Sequence, residues 1–293
     1  MTEHAGTVPV TAIVTAFNRI DQALTALRAI RACRPAPAEV LVHVDGGQQA
    51  CAQAIEASGL ANGVLVTDGS IGPGGGRNKL IAAASHDLVA SFDDDSWPMD
   101  SDYFGRLVAV AAEYPSASII AAAVFERGQV RTPGTGRLVW SADFAGGGCA
   151  YRKAAFLATG GYVPLPVAYF MEEVDLALRL HEQGGKILLC DDLRVEHDST
   201  LEHHASARVT AASVANIALL TFLRYPVAFY PVGAAQVLRR TWWLLTHGRR
   251  AGVVRGLASI PSHLASHRSF RRPVAASTVR SFLQLRRMRV PAH

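Results

Sequence analysis

"HDLVASFDDDSWPMDSDYF", residues 86–104, carries a short apolar run from Leu88 to Phe92 into three consecutive aspartates, Asp93, Asp94 and Asp95. The run has the length and composition of a buried strand bounded by turn residues. Adjacent carboxylates repel and raise one another's pKa unless a cation holds them. Folding alone does not ask for such a triplet at a strand tip. A hard divalent ion with oxygen ligands does, and Mg2+ or Mn2+ keeps coordination positions open for substrate phosphates.

Working outward, "VTAIVTAF" (10–17), "EVLVHV" (39–44) and "GVLVT" (63–67) read as further strands. Between them, Leu24, Leu27 and Ile30 recur at helical spacing over Ile20 to Cys33, and "QQACAQAIEA" (48–57) continues the pattern. "GGRNKLIAAAS" starts on glycines and goes on as a helix. Strand alternating with helix predicts an α/β fold, a mainly parallel mixed sheet flanked by helices. Ligands of such sheets bind beyond the carboxyl ends of the strands, which is where the aspartates stand. Downstream, "FAGGGCAYRKAAFLATGGY" (144–162) is glycine-rich at both ends of a short helix. Residues 172–199 read as a helix opening on Glu172, Glu173 and Asp175, a Gly184-Gly185 stop, and one or two strands leading to His197. Acids in a first turn suit the helix dipole, and Asp175 and Arg179 share a face at i,i+4.

Charge divides the chain. The 293 residues carry a net +5, yet up to residue 200 there are 15 Lys/Arg against 23 Asp/Glu, and from 201 onward 14 Arg, no Lys and one acid, Glu202. The split predicts two regions, an acidic one over 1–200 and an arginine-rich amphipathic helical extension over 201–293. In the extension "RRTWWLL" sets tryptophans beside arginines, the composition of an interfacial helix, so an anionic membrane surface is an expected partner. No uncharged stretch reaches the roughly 18–20 residues of a spanning helix. Nucleic acid is not expected, because the basic segment is apolar and lacks a nucleic-acid-binding motif. Cys33, Cys51, Cys149 and Cys190 show no zinc-ligand spacing, and no secretion signal opens the sequence, so a cytoplasmic protein is expected, peripheral on the inner face of the cell membrane.

"IVTAFNR", "VLVHVDGG", "GPGGGRNKLIAAASHDLVASFDDD", "GGGCAYRKAAFLATGGY", "FMEEVDLALRLHEQGGKI" and "VEH" follow one another in an order that resembles the family 2 glycosyltransferases of the GT-A fold, including bacterial rhamnosyltransferase-like members. The resemblance covers about residues 9 to 200. It implies inverting transfer of a sugar from a nucleotide diphosphate donor (UDP-, dTDP- or GDP-linked) to a glycan, glycolipid or small-molecule hydroxyl, with Mn2+ or Mg2+ as cofactor. In its terms Asp95 and His197 hold the metal, and Asp93 and Asp94 lie towards the nucleotide. Thr15, Ala16, Phe17 and Asn18 flank base and ribose, joined by Asp45 and Arg77. Asp45 is the last aspartate of the family's "DDGS", with Val44 before it and Gly47 in place of the serine. Gly147 and Gly148 face donor sugar and acceptor. The catalytic base is Glu173, with Glu172 and Asp175 as alternatives. Three readings compete. One is a noncatalytic anion- or lipid-binding protein and one a sugar-modifying enzyme acting on a small natural product; the third is a nucleotidyltransferase, disfavoured because "TAFNRIDQA" supplies no phosphate loop after the first strand.

Overall fold

The computed structural model describes residues 6–169, 171–199, 206–287 and 290–292. The expected division at 200/201 lies outside the described residues. The first half alternates as expected: β1 (Thr7–Ala16), α1 (Ile20–Ala32), β2 (Ala36–Val44), α2 (Gln49–Ser58), β3 (Gly63–Val66), α3 (Gly72–Ala83) and β4 (Leu88–Asp93). A short β5 (Ser96–Pro98) follows the aspartates, then α4 (Tyr103–Glu113), β6 (Ala117–Glu126) and β7 (Leu138–Ser141), a stretch the sequence reading leaves unassigned. The chain continues through β8 (Gly148–Arg152), α5 (Lys153–Ala158), α6 (Glu172–Glu182) and one long strand, β9 (Lys186–His197).

The sheet runs β7-β9-β6-β8-β4-β1-β2-β3, with β5 on β9 and a last short strand, Val290–Pro291, beside β7. It is parallel through β4, β1, β2 and β3 and mixed beyond. Successive strand residues face opposite sides, so β1 sends Ala12 and Val14 into one core and Ile13 into another. The first core is covered by α1, α2 and α4 through Leu27, Ile55 and Leu107; the second by α3 and α6 through Leu80 and Leu176. Helices thus cover both faces, and the aspartates stand at the carboxyl edge of the strands.

The arginine-rich segment forms α7 (Ala207–Arg224), α8 (Tyr230–Thr246), α9 (Val253–Ser266) and α10 (Ala276–Leu285), then a two-residue strand, β10 (Val290–Pro291), that pairs with β7. It is therefore not wholly helical. Ser206 caps α7 by accepting from the Val209 amide. Pro231 sits in the first turn of α8, where a missing N–H costs no helix bond. Tyr225, Val274, Val279 and Phe282 join the core on the α6 face of the sheet. Asp175, fully buried, is gripped by Arg179 of its own helix and by Arg224 at the end of α7. Arg224 also donates to the Phe270 carbonyl, at 2.9 Å, so one guanidinium ties three segments together. Removing one partner of a buried pair strands the other's charge. Arg224→Met is expected to lower unfolding stability by about 3 kcal/mol, read as a shifted urea midpoint; a change below about 1 kcal/mol would show the pair to be dispensable.

Candidate active site

The parallel pairing of β1 and β4 sets Thr15 level with Asp93, so both strands deliver their last residues to one edge. Thr15 Oγ1 donates to Asp93 at 2.8 Å, and the Asp94 amide donates to the Thr15 carbonyl at 3.0 Å. The turn that follows is held by β5, whose antiparallel register on β9 places Ser96 opposite His197. That register brings His197 Nε2 within 3.3 Å of Asp95 Oδ1 across a hundred residues of chain. The parallel β6–β9 register sets Glu126 beside His197 as well, and Glu126 Oε1 lies 3.1 Å from Nδ1.

Charge at this edge is balanced locally. Arg19, just past β1, donates to Asp95 at 2.6 Å and also to Asp94. Burial opposes ionisation of Asp95, but hydrogen bonds from His197 and Arg19 outweigh it and hold the carboxyl at about 2. Asp94, more deeply buried, is pushed up to about 6 in spite of Arg19. For His197 burial disfavours the cation, yet Asp95 and Glu126 outweigh it and raise the imidazole to about 9.

Arg77 of α3 is 1% exposed and joins Asp93 to Glu172, bonding the latter at 3.2 Å. Burial alone would lower its pKa; the two carboxylates drive it well above the ordinary arginine value. Glu172 is pushed up to about 8 by burial and by the neighbouring charge of Glu173, against the pull of Arg77. Glu173 is also raised by desolvation, eased by Arg77. Glycines permit this crowding. Gly72 has φ +71°, and a Cβ there would overlap the Leu165 carbonyl oxygen; a Cβ on Gly147 would overlap the Asp93 carboxylate.

These groups surround a cavity of about 540 Å3. Its lining gathers Thr15, Ala16, Phe17, Asp45, Arg77, Asp93, Asp94, Asp95, Glu172, Glu173 and His197. Asp45 faces it with a carboxylate already engaged by Thr67, Ser70 and the amides of Ile71 and Gly72, at 2.7–3.1 Å, which fixes the loop into α3. Four expected residues are not in the lining. Asn18 points to solvent; Gly147 stands behind Asp93; Gly148 lies within β8 against Val124; Asp175 is taken up by its two arginines. For Asp175 the reason is helical geometry. Two residues past Glu173, it falls on a different face of α6, turned towards α7.

The structure adds residues that sequence reasoning missed. Arg19, His43, Ser70, Tyr169 and Ser199 line the cavity, as do Arg208 and Val209 from the first turn of α7. Arg19 had a signal, a cation directly after the strand-end motif "TAFN". Asn216 of α7 donates to the carbonyls of Val167 and Tyr169, at 2.9 and 3.0 Å, and so fixes the cavity's outer wall.

Asp95 and His197 offer an oxygen and a nitrogen that could serve a divalent ion. A metal-bound histidine gives its second nitrogen to a carboxylate that sets its tautomer and orientation, and Glu126–His197–Asp95 has that order. Among the described residues no group of three or more His, Cys, Asp and Glu is gathered for a metal. Asp95 and His197 would hold the ion as two ligands, with phosphate and water completing the shell.

Residues 11–160 match the family model described as Glycosyl transferase family 2. No curated protein matches the sequence significantly. Among solved structures the chain is similar to the mannosyltransferase PcManGT from Pyrobaculum calidifontis in complex with GDP-Man and Mn2+, at 14% identity over 95% of this chain and 79% of that one, TM-score 0.57. It is similar to S. aureus TarS 1-349 in complex with UDP-GlcNAc, at 14% identity over 89% and 92%, TM-score 0.57. It is also similar to GalNAc-T7 with UDP, GalNAc and Mn2+, at 16% identity over 90% of this chain and 58% of that one, TM-score 0.58. At these identities the likeness is one of fold, the GT-A arrangement of sheet and helices.

Proposed function

The chain belongs to glycosyl transferase family 2, and from that premise we propose that it is an inverting, metal-dependent enzyme moving a sugar from a nucleotide diphosphate donor to an acceptor hydroxyl. One observation carries the reading: the ends of β4 and β9 and the start of α6 bring Asp93–Asp95, His197 and Glu173 to a single cavity. Mn2+ seen in two structures of like fold supports a divalent ion here.

Asp95 and His197 would hold the ion, which supplies charge neutralisation for the leaving diphosphate. Thr15, Ala16 and Phe17 form the wall for base and ribose, with Asp45 fixing the loop behind them. Arg77 fixes the strand end by bonding Asp93, and it restrains Glu172. Glu173 is left to take the acceptor proton, its raised pKa bringing it closer to the working range of a general base. Attack by the acceptor oxygen as Glu173 takes its proton would be a direct displacement, with inversion at the anomeric carbon. Cationic Arg19 and Arg208 at the rim suit an anionic donor. Four buried free cysteines support a reducing compartment. Among the described residues no helix is long and apolar enough to cross a membrane. Exposed Leu238, Trp242 and Val254 amid arginines support seating on an anionic membrane surface at the inner face, where a glycolipid or surface-glycan acceptor would be met.

Incubation with UDP-, dTDP- and GDP-sugars, Mn2+ and a panel of glycan and lipid acceptors tests this. A glycoside of opposite anomeric configuration to the donor, read by NMR, is expected; retained configuration would refute the displacement.

His197 also makes metal affinity pH-dependent. With its pKa at about 9 the imidazole is protonated at neutral pH, and a metal ligand must be neutral, so binding expels a proton. Apparent Mn2+ affinity at saturating nucleotide is expected to rise between pH 7 and 9, by up to about tenfold per unit. Calorimetry in buffers of different ionisation enthalpy counts the proton. A flat profile with no proton release would remove His197 from the shell.

A further inference from the structure

Most cations that line the aspartate-walled cavity already have carboxylate partners. Arg19 holds Asp94 and Asp95, Arg77 holds Asp93 and Glu172, and His197 stands between Asp95 and Glu126. Asp94, Asp95 and Glu172 are buried, so releasing Arg19 or Arg77 to a ligand would strand charge inside the protein. His43 is bonded to Thr67 at 3.1 Å, and burial lowers its pKa, favouring the neutral ring. Arg208 differs. It lines the same cavity from the first turn of α7, is exposed, and has neither an ion pair nor a side-chain hydrogen bond among the described residues.

The backbone that carries Arg208 is fixed from two sides. Ser206 caps the turn by accepting from the Val209 amide. On the other side α9 approaches α7 with glycines at the contact. A Cβ on Gly252, at the start of α9, would overlap the Ala207 carbonyl oxygen, and one on Gly256, a turn later, would come within 2.7 Å of that of Ala211. Glycine is what lets two backbones approach so closely. The segment thus sets one free guanidinium at the wall of a cavity that also holds Asp93–Asp95 and Glu173.

A guanidinium binds phosphate through short, charge-assisted and often paired hydrogen bonds. We propose that Arg208 donates to the diphosphate of the sugar nucleotide, so that the arginine-rich segment builds a wall of the donor site in addition to any surface it offers a membrane. The inference rests on the transferase reading for the identity of the anion. Arginine and metal would then share the diphosphate, the one arriving on α7 and the other on β4 and β9.

Calorimetric titrations of the full chain with UDP, dTDP and GDP in Mn2+, run beside urea unfolding, test the assignment. The nucleotide that binds the unaltered protein is expected to bind Arg208→Gln about tenfold or more weakly. Arg208→Lys, which keeps the charge but not the planar fork, should fall between the two. Arg208 makes no side-chain contact that folding needs, so the urea midpoint should stay where it is in both variants. Unchanged nucleotide affinity in Arg208→Gln would overturn the assignment and leave the transferase reading standing. A loss of affinity matched by a fall in the urea midpoint would also overturn it, since the role would then be structural. If none of the three nucleotides binds the unaltered, folded protein, the transferase reading itself fails and the assignment falls with it.

Discussion

Glu173→Gln is expected to lower kcat for sugar transfer by about 10^3-fold while leaving nucleotide affinity nearly unchanged, the signature of an interaction made only in the transition state. The substitution keeps size and hydrogen-bonding reach and removes only the capacity to take a proton. Glu172 cannot step in without cost. It is 5% exposed and already tied to Arg77, so Glu172→Gln should act mainly through Arg77 and Asp93 on donor affinity and folding. Asp175 is locked between Arg179 and Arg224, and its loss should appear as instability. A kinetic split between kcat and KM across these three variants, alongside their unfolding midpoints, separates the roles. Full activity in Glu173→Gln would move the base elsewhere.

Asp95→Asn is the second large expectation: a loss of about 10^3-fold in transfer, several kcal/mol of transition-state stabilisation, accompanied by loss of metal-dependent nucleotide binding. Asp95 is 3% exposed, held at about 2 and therefore ionised throughout the physiological range. An amide of the same shape cannot balance a divalent charge, and Arg19 and His197 would lose their shared anion. The stability sign follows from the depressed pKa. The Asp95 contribution is present above the ordinary aspartate value and is lost as pH falls towards about 2, so Asp95→Asn should flatten the acid side of the stability profile. Unchanged Mn2+-dependent binding would take Asp95 out of the site.

Much of the fold was legible because its first half is regular. β1 to β4 alternate with helices at short spacing, and the aspartates end the last strand of that run. Residues 103–143 were not, since "ASIIAAAVFE" is alanine-rich and declares neither a helical nor a strand period until β8 and β9 bracket it. In the site, residues in compact motifs were readable: the triplet, the glutamates opening α6 and the strand end at Thr15. Isolated residues were not. Glu126 and Arg19 are single charges whose partners lie 71 and 76 residues away, brought near only by sheet register. Arg208 belongs to the arginine-rich segment, where one arginine among fourteen carries no mark of its place. Asp175 shows the opposite failure. Its pairing with Arg179 at i,i+4 could be read, but the second arginine, 49 residues on, could not, and that arginine turns a candidate base into a structural ion pair.

The most direct measurement is calorimetric titration of UDP, dTDP and GDP into the intact protein, each with Mn2+ and with EDTA. The site described here predicts that one nucleotide binds, at least about tenfold more tightly with Mn2+, and that Asp95→Asn removes the difference. A folded protein that binds none of the three, or binds one equally well in EDTA, would contradict a metal-held diphosphate at Asp93–Asp95.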